Sequence, residues 1–224
     1  MKKHHLHYTL IEVLVAVAVL ALMMSFLFQF TAGAQRIWSA TNANTDISTN
    51  ADILFTLMDE DLTQMIVDGA EGMPFTGAVS ATTADANFDF YAISNRKGGV
   101  ESSNNKIGSL IFVRYHYVAP TSSSDGRIYR VQKSAEDDAI YGADNSAPSP
   151  NITDADYTED ALVAEGVTSF GVSVWPDGTT DTLPQILRVE VTLDRLKSQI
   201  SERKSDNDAN FAHVFSKVYF PGMK

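Results

Sequence analysis

The sequence predicts an α+β protein in which a long N-terminal helix packs its distal half on an antiparallel β-sheet head. Three observations lead there. An almost wholly apolar run, Tyr8 to Phe30, matches the roughly 20 residues an α-helix needs to cross a hydrocarbon core. Apolar residues then recur at steps of three or four from Ile47 to Met65. From Asp68 onward the period falls to two, the mark of half-buried strands. The expected segments are a basic leader (1–7), a transmembrane or assembly helix (8–32), an amphipathic helix (33–67) and a β-rich head (68–224).

Composition sets outer limits. With 224 residues, 44% of them hydrophobic, the chain suits one globular domain plus an appended element, or two small domains. A formal net charge of −11 and a pI near 4.7 oppose binding to nucleic-acid phosphate, so no nucleic-acid partner is expected. The absence of cysteine excludes disulfide staples, thiolate nucleophiles and Cys-based zinc sites.

Met1 to His7 is polar and carries Lys2 and Lys3. The positive-inside rule keeps this end in the cytoplasm and places everything after Phe30 on the far side. Three readings of the apolar run compete: a cleaved signal peptide ending near Ala32-Gly33-Ala34, a plain signal anchor, and a helix with a further duty. Glu12 favours the third. A carboxylate inside a bilayer costs on the order of 3 kcal/mol and is usually functional, although one at the headgroup boundary reaches water cheaply.

Tyr8-Thr-Leu-Ile-Glu12-Val-Leu-Val-Ala resembles the N-terminal motif of type IV pilins and type II secretion pseudopilins. The resemblance implies that a prepilin peptidase cuts between His7 and Tyr8, that the new N-terminus is methylated, and that Glu12 is the family's glutamate at the fifth mature position. In such fibres each α-amino group lies near a neighbour's glutamate, and a charge pair in low dielectric is specific for register. His7 departs from the pattern, because the family carries glycine before the cut. An uncleaved copy would offer Glu12 no free amine.

Beyond the run, Ile47, Ala51, Leu54, Met58, Leu62 and Met65 form one stripe, with Asp46, Asn50, Asp52, Asp59, Asp61 and Gln64 between them. No proline precedes Pro74, and Gly69 and Gly72 supply a stop. Tyr8 to about Val67 therefore reads as one helix or a gently broken pair, roughly 90 Å long. Two unrelated helices meeting near Gly33 are the alternative.

In the head, Leu187, Val189, Val191 and Leu193 alternate with Arg188, Glu190 and Thr192, and Phe170, Val172 and Val174 alternate with small or polar residues. Residues 88–93, 110–118, 128–132 and 213–220 are further strands. Residues 119–126 read as a turn between paired strands, 133–161 as an exposed acidic loop, and 195–212 as a charged connection holding a short helical piece. The order VRYHYV, RIYRVQK, ALVAEGVTSFGVSVW and a last strand ending at Phe220-Pro221 resembles the J-type minor pseudopilins. Asp59-Glu-Asp-Leu-Thr-Gln64 is similar to the stretch that ends the family's helix. A verrucomicrobial set of pilin-like cassette proteins resembles the same order.

Residues for chemistry are few. His4, His5 and His7 sit in the leader, and His116 and His213 fall on expected strands. No phosphate-binding Gly loop, dinucleotide fingerprint or hydrolase motif is present. Asp154, Asp156, Glu159 and Asp160 could gather oxygen ligands for Ca²⁺, but the run lacks the central Gly and distal Glu of the helix-loop-helix motif and reads as a solvated loop. Trp175-Pro-Asp-Gly178 reads as a strand end and turn. Trp38 reads as a membrane-interface anchor or a packing residue against a neighbouring subunit.

The expectation is a structural subunit and not an enzyme, without cofactor or metal. The resemblance implies a minor pseudopilin of a short periplasmic fibre in a type II secretion-like system. Its partners would be other minor pseudopilins or pilins, the prepilin peptidase, the inner-membrane assembly platform and membrane lipid. It would sit as a single-pass protein of the bacterial inner membrane with its head in the periplasm. The alternatives are a minor pilin of a type IV pilus and a membrane-tethered binding domain using the helix only as an anchor.

Overall fold

A computed structural model describes residues 9–67, 75–93, 110–134, 152–177, 182–194 and 212–221. The chain divides into two compact units, Met1–Thr45 and Asp46–Lys224. One helix, α1 (Leu10–Thr63), contributes to both.

In the first unit α1 begins behind Thr9. Its course through Gly33 is unbroken, which excludes a pair of helices meeting there. No heavy atom lies within 4 Å of where a Cβ would stand on Gly33, so nothing but helix propensity acts on that residue. The hydroxyls of Thr31, Thr41 and Thr45 donate to carbonyls three or four residues back, so these polar side chains leave no donor unmet.

Among the described residues, the second unit joins the distal part of α1 to nine strands. In chain order these are β1 (Met65–Ile66), β2 (Val79–Ala81), β3 (Ala86–Ile93), β4 (Leu110–Val118), β5 (Arg127–Ser134), β6 (Leu162–Glu165), β7 (Val167–Trp175), β8 (Ile186–Leu193) and β9 (His213–Tyr219). They form two antiparallel sheets, β1-β3-β4-β5-β6 and β2-β7-β8-β9. Gly166, at a positive φ of 79°, carries the chain from one sheet to the other, a conformation that glycine adopts without strain.

The inner faces of both sheets close on the helix. Phe88, Phe90, Val113, Tyr115, Tyr117 and Ile128 come from the first sheet; Phe170, Val172, Leu187, Val189, Val191 and Tyr219 come from the second. Ile47, Ala51, Leu54, Met58, Leu62 and Met65, the stripe expected from the sequence, are all buried among them. Tyr219 adds a hydrogen bond from its hydroxyl to the Phe55 carbonyl at 3.3 Å.

Three expectations need correction. The helix stops at Thr63, short of Val67, because the Gln64 amide turns back on the Asp61 carbonyl and Met65 enters β1 opposite Ala92. The strands β1 and β2 were not expected, being too short to show alternation, whereas β6 falls within 161–175, the stretch ALVAEGVTSFGVSVW expected as strand. Within 133–161, the described part is not a free loop. Lys133 and Ser134 extend β5, and Asp154–Asp156 and Glu159–Ala161 form 3₁₀ turns. Tyr157 between them stacks on His116 of β4, with ring centroids 4.3 Å apart. The helical piece expected within 195–212 lies almost entirely outside the described residues.

Candidate functional site

The candidate site is the start of α1 and the apolar surface that follows it. His7 and Tyr8, the expected processing residues, lie outside the described residues. Glu12 is in the first turn of the helix. Its Oε2 accepts the Thr9 backbone N–H at 2.8 Å and the Thr9 hydroxyl at 3.0 Å, while the Glu12 N–H approaches Thr9 Oγ1 at 3.4 Å. This is a capping box with Thr9 at the N-cap and Glu12 three residues on. The carboxylate also faces the positive end of the helix dipole. The spacing Thr9-x-x-Glu12 carries this capping signal in the sequence itself.

From Leu10 to Phe30 the large apolar side chains are exposed on every side of the helix, from 47% at Val19 and Met24 to 83% at Leu10. Leu, Ile, Val and Phe provide thirteen of these residues. At about 0.3–0.6 kcal/mol each for insertion, they supply roughly 4–8 kcal/mol in favour of a bilayer. One carboxylate costs on the order of 3 kcal/mol at the bilayer centre and less near its edge. The apolar surface outweighs this one carboxylate, and the segment with Glu12 included is long and apolar enough to cross a membrane.

A second constellation fixes the head to the helix, and sequence reasoning missed it. Asp61, 5% exposed, accepts two hydrogen bonds from Arg130 at 2.7 Å each. The Tyr115 hydroxyl donates to Asp61 Oδ2 at 2.6 Å, and the Gln132 amide approaches Oδ1 at 3.3 Å. Burial pulls the Arg130 pKa down, but the hydrogen bonds and charge of Asp61 more than offset this and the net shift is upward. Burial, and after it the Asp61 charge, pushes the Tyr115 phenol well above its usual range. The signal was present: Asp61 is three residues beyond Met58 and seven beyond Leu54, on the buried stripe. Arg130 and Gln132 likewise alternate inward with Ile128 on β5.

On the outer face of the first sheet, Arg114 binds both carboxylate oxygens of Asp89, at 2.8 and 2.7 Å. His116 Nδ1 lies 2.6 Å from Asn87 Oδ1. Burial lowers the His116 pKa. Asp156 is engaged by Lys133 at 2.8 Å and by the Thr153 amide at 2.7 Å. The acidic run therefore commits one of its carboxylates to the fold, and Asp154, Glu159 and Asp160 are exposed. Among the described residues no three His, Asp or Glu side chains converge as metal ligands. His213 is exposed on β9, the last strand of the second sheet, and Trp175 is exposed at the end of β7.

Fold and surface define a class: an α+β protein with one helix long and apolar enough to cross a membrane. No family model matches the chain, and no curated protein or solved structure matches it.

Proposed function

We propose that this chain is a pilin-like structural subunit, of the minor pseudopilin kind, that waits in the inner membrane and joins a short periplasmic fibre through its apolar helix. It acts mechanically and catalyses no reaction. In this reading the leader is removed after His7, the new amine at Tyr8 meets Glu12 of a neighbour, and the head stays in the periplasm. Its partners are other minor pseudopilins or pilins, the prepilin peptidase and the assembly platform. The observation that carries the reading is that a membrane-length apolar segment with an acid in its first turn and a stripe buried in a β-sheet head belong to one unbroken helix.

The Thr9–Glu12 capping box favours a second reading, a tethered domain in which Glu12 merely caps the anchor. The mass of the N-terminal peptide after co-expression with a prepilin peptidase separates the two. A methylated peptide beginning at Tyr8 supports the subunit. An intact Met1 brings the tethered domain forward. A cut after Ala34 contradicts both and leaves an exported protein that keeps only the distal part of α1.

A further inference from the structure

Just beyond the apolar run, α1 carries Arg36, Ile37 and Trp38. Arg36 is the only basic residue between Thr9 and Val67 in a chain whose net charge is −11. Ile37 and Trp38 are each 71% exposed, and Arg36 is exposed too. No acid stands three or four residues from Arg36, where Ala32, Gly33, Ser39 and Ala40 lie. Successive residues of a helix point about 100° apart, so these three side chains face three different directions. A single partner helix covers one stripe of a helix, whereas lipid surrounds it.

The spacing along the axis fits the same solvent. Leu10 to Phe30 spans about 30 Å, the thickness of a hydrocarbon core. Arg36 and Trp38 follow about 9 and 12 Å further on. Because Cα–Cβ bonds tilt toward the helix N-terminus, both side chains lean back toward the membrane. The long Arg stem and the indole then reach the headgroup layer, where Trp is enriched and a guanidinium can bond phosphate with two parallel N–H groups.

We propose that Arg36, Ile37 and Trp38 form a collar that sets the depth of the helix by binding lipid headgroup phosphate at the membrane face opposite the basic leader. The proposal rests on the membrane reading of α1, and its test separates the two. The full chain carrying Trp175→Phe leaves Trp38 as the sole indole. It is reconstituted in phosphatidylcholine vesicles with and without phosphatidylglycerol, using lipids brominated either near the glycerol or near the chain end. Shallow bromine should quench Trp38 at least about twofold more than deep bromine, and Arg36→Gln should shrink that difference in the anionic vesicles. A companion chain with Trp38→Phe, Trp175→Phe and Leu20→Trp should be quenched by deep bromine. If that companion is not quenched, the membrane reading itself fails, and the collar with it. If it is quenched while Trp38 stays open to aqueous iodide, the collar is wrong and the anchor stands. Trp38 quenching unaffected by Arg36→Gln removes the phosphate contact. Shielding of Trp38 that appears only at high protein-to-lipid ratio assigns this stretch to a second copy instead, and also overturns the collar.

Discussion

Removing Asp61 should weaken the head severely, and the geometry sets the size of the effect. Asp61→Ala deletes the acceptor of two Arg130 bonds and of the Tyr115 and Gln132 bonds. Arg130, whose side chain is only 13% exposed, is then left charged and without its carboxylate. Breaking a buried pair from one side costs about 3–5 kcal/mol, a large part of the roughly 5–15 kcal/mol that holds a domain folded. For a chain of this size that is a fall in Tm of about 6–20 °C. Replacing both partners with apolar residues (Asp61→Leu with Arg130→Met) should recover much of the loss, because no charge remains buried. The assay is urea unfolding of the full chain in detergent, followed by near-ultraviolet circular dichroism of the head. The reasoning is refuted if Asp61→Ala costs under about 1 kcal/mol and the two single changes add. That is the behaviour of an exposed ion pair.

Two further outcomes follow from burial and space. Burial raises the phenols of Tyr115, Tyr117 and Tyr219, with Asp61, Asp85 and Asp59 respectively adding to the shift; Tyr117 reaches about 12. Unfolded tyrosines ionise near pH 10, so the stability tied to these groups is intact below about pH 10 and is lost as pH rises through 12. Tyrosinate absorbance and near-ultraviolet circular dichroism should show these phenols ionising only as the fold is lost; complete ionisation with the signal intact contradicts this. The glycines should diverge. Gly33→Ala should stabilise the helix by about 0.5–1 kcal/mol. Gly126→Ala, whose Cβ would overlap the Val167 carbonyl oxygen, should cost about 1–3 kcal/mol of unfolding free energy, read from urea titration.

Much of this fold was legible because periodicity reports burial directly. The six-residue stripe of α1 and the alternation of β7 and β8 were read from the order of apolar residues alone, and all of them face the core. The turn between β4 and β5 was equally plain: Thr121 and Ser124 close it with the hydrogen bond from the Thr121 N–H to the Ser124 carbonyl. What escaped was tertiary in origin. A two-residue strand such as β1 exists only because β3 is there to pair with it. Met65 keeps its place in the stripe while leaving the helix, so the pattern overran the true end at Thr63. Asp61 was read as one of several acids between core positions, because a carboxylate on a buried stripe makes sense only once Arg130, sixty-nine residues away, is seen beside it. At the candidate site, Glu12 was picked out by its cost in lipid, whereas its bonds to Thr9 depended on a spacing of three residues that the apolar run concealed.

The central claim is that the apolar helix assembles with its neighbours under the direction of Glu12. The chain has no cysteine, so single cysteines can be placed at every position from Val13 to Met24 in turn without a background thiol, sampling all faces of the helix. Oxidative cross-linking would be measured in membranes that also hold the prepilin peptidase and assembly platform. The account predicts cross-linked species that rise and fall with the three-to-four-residue period of one helix face and that fall about tenfold or more in Glu12→Gln. Helices that insert but never cross-link, or that cross-link equally well with Glu12→Gln, would contradict it and leave α1 as an anchor alone.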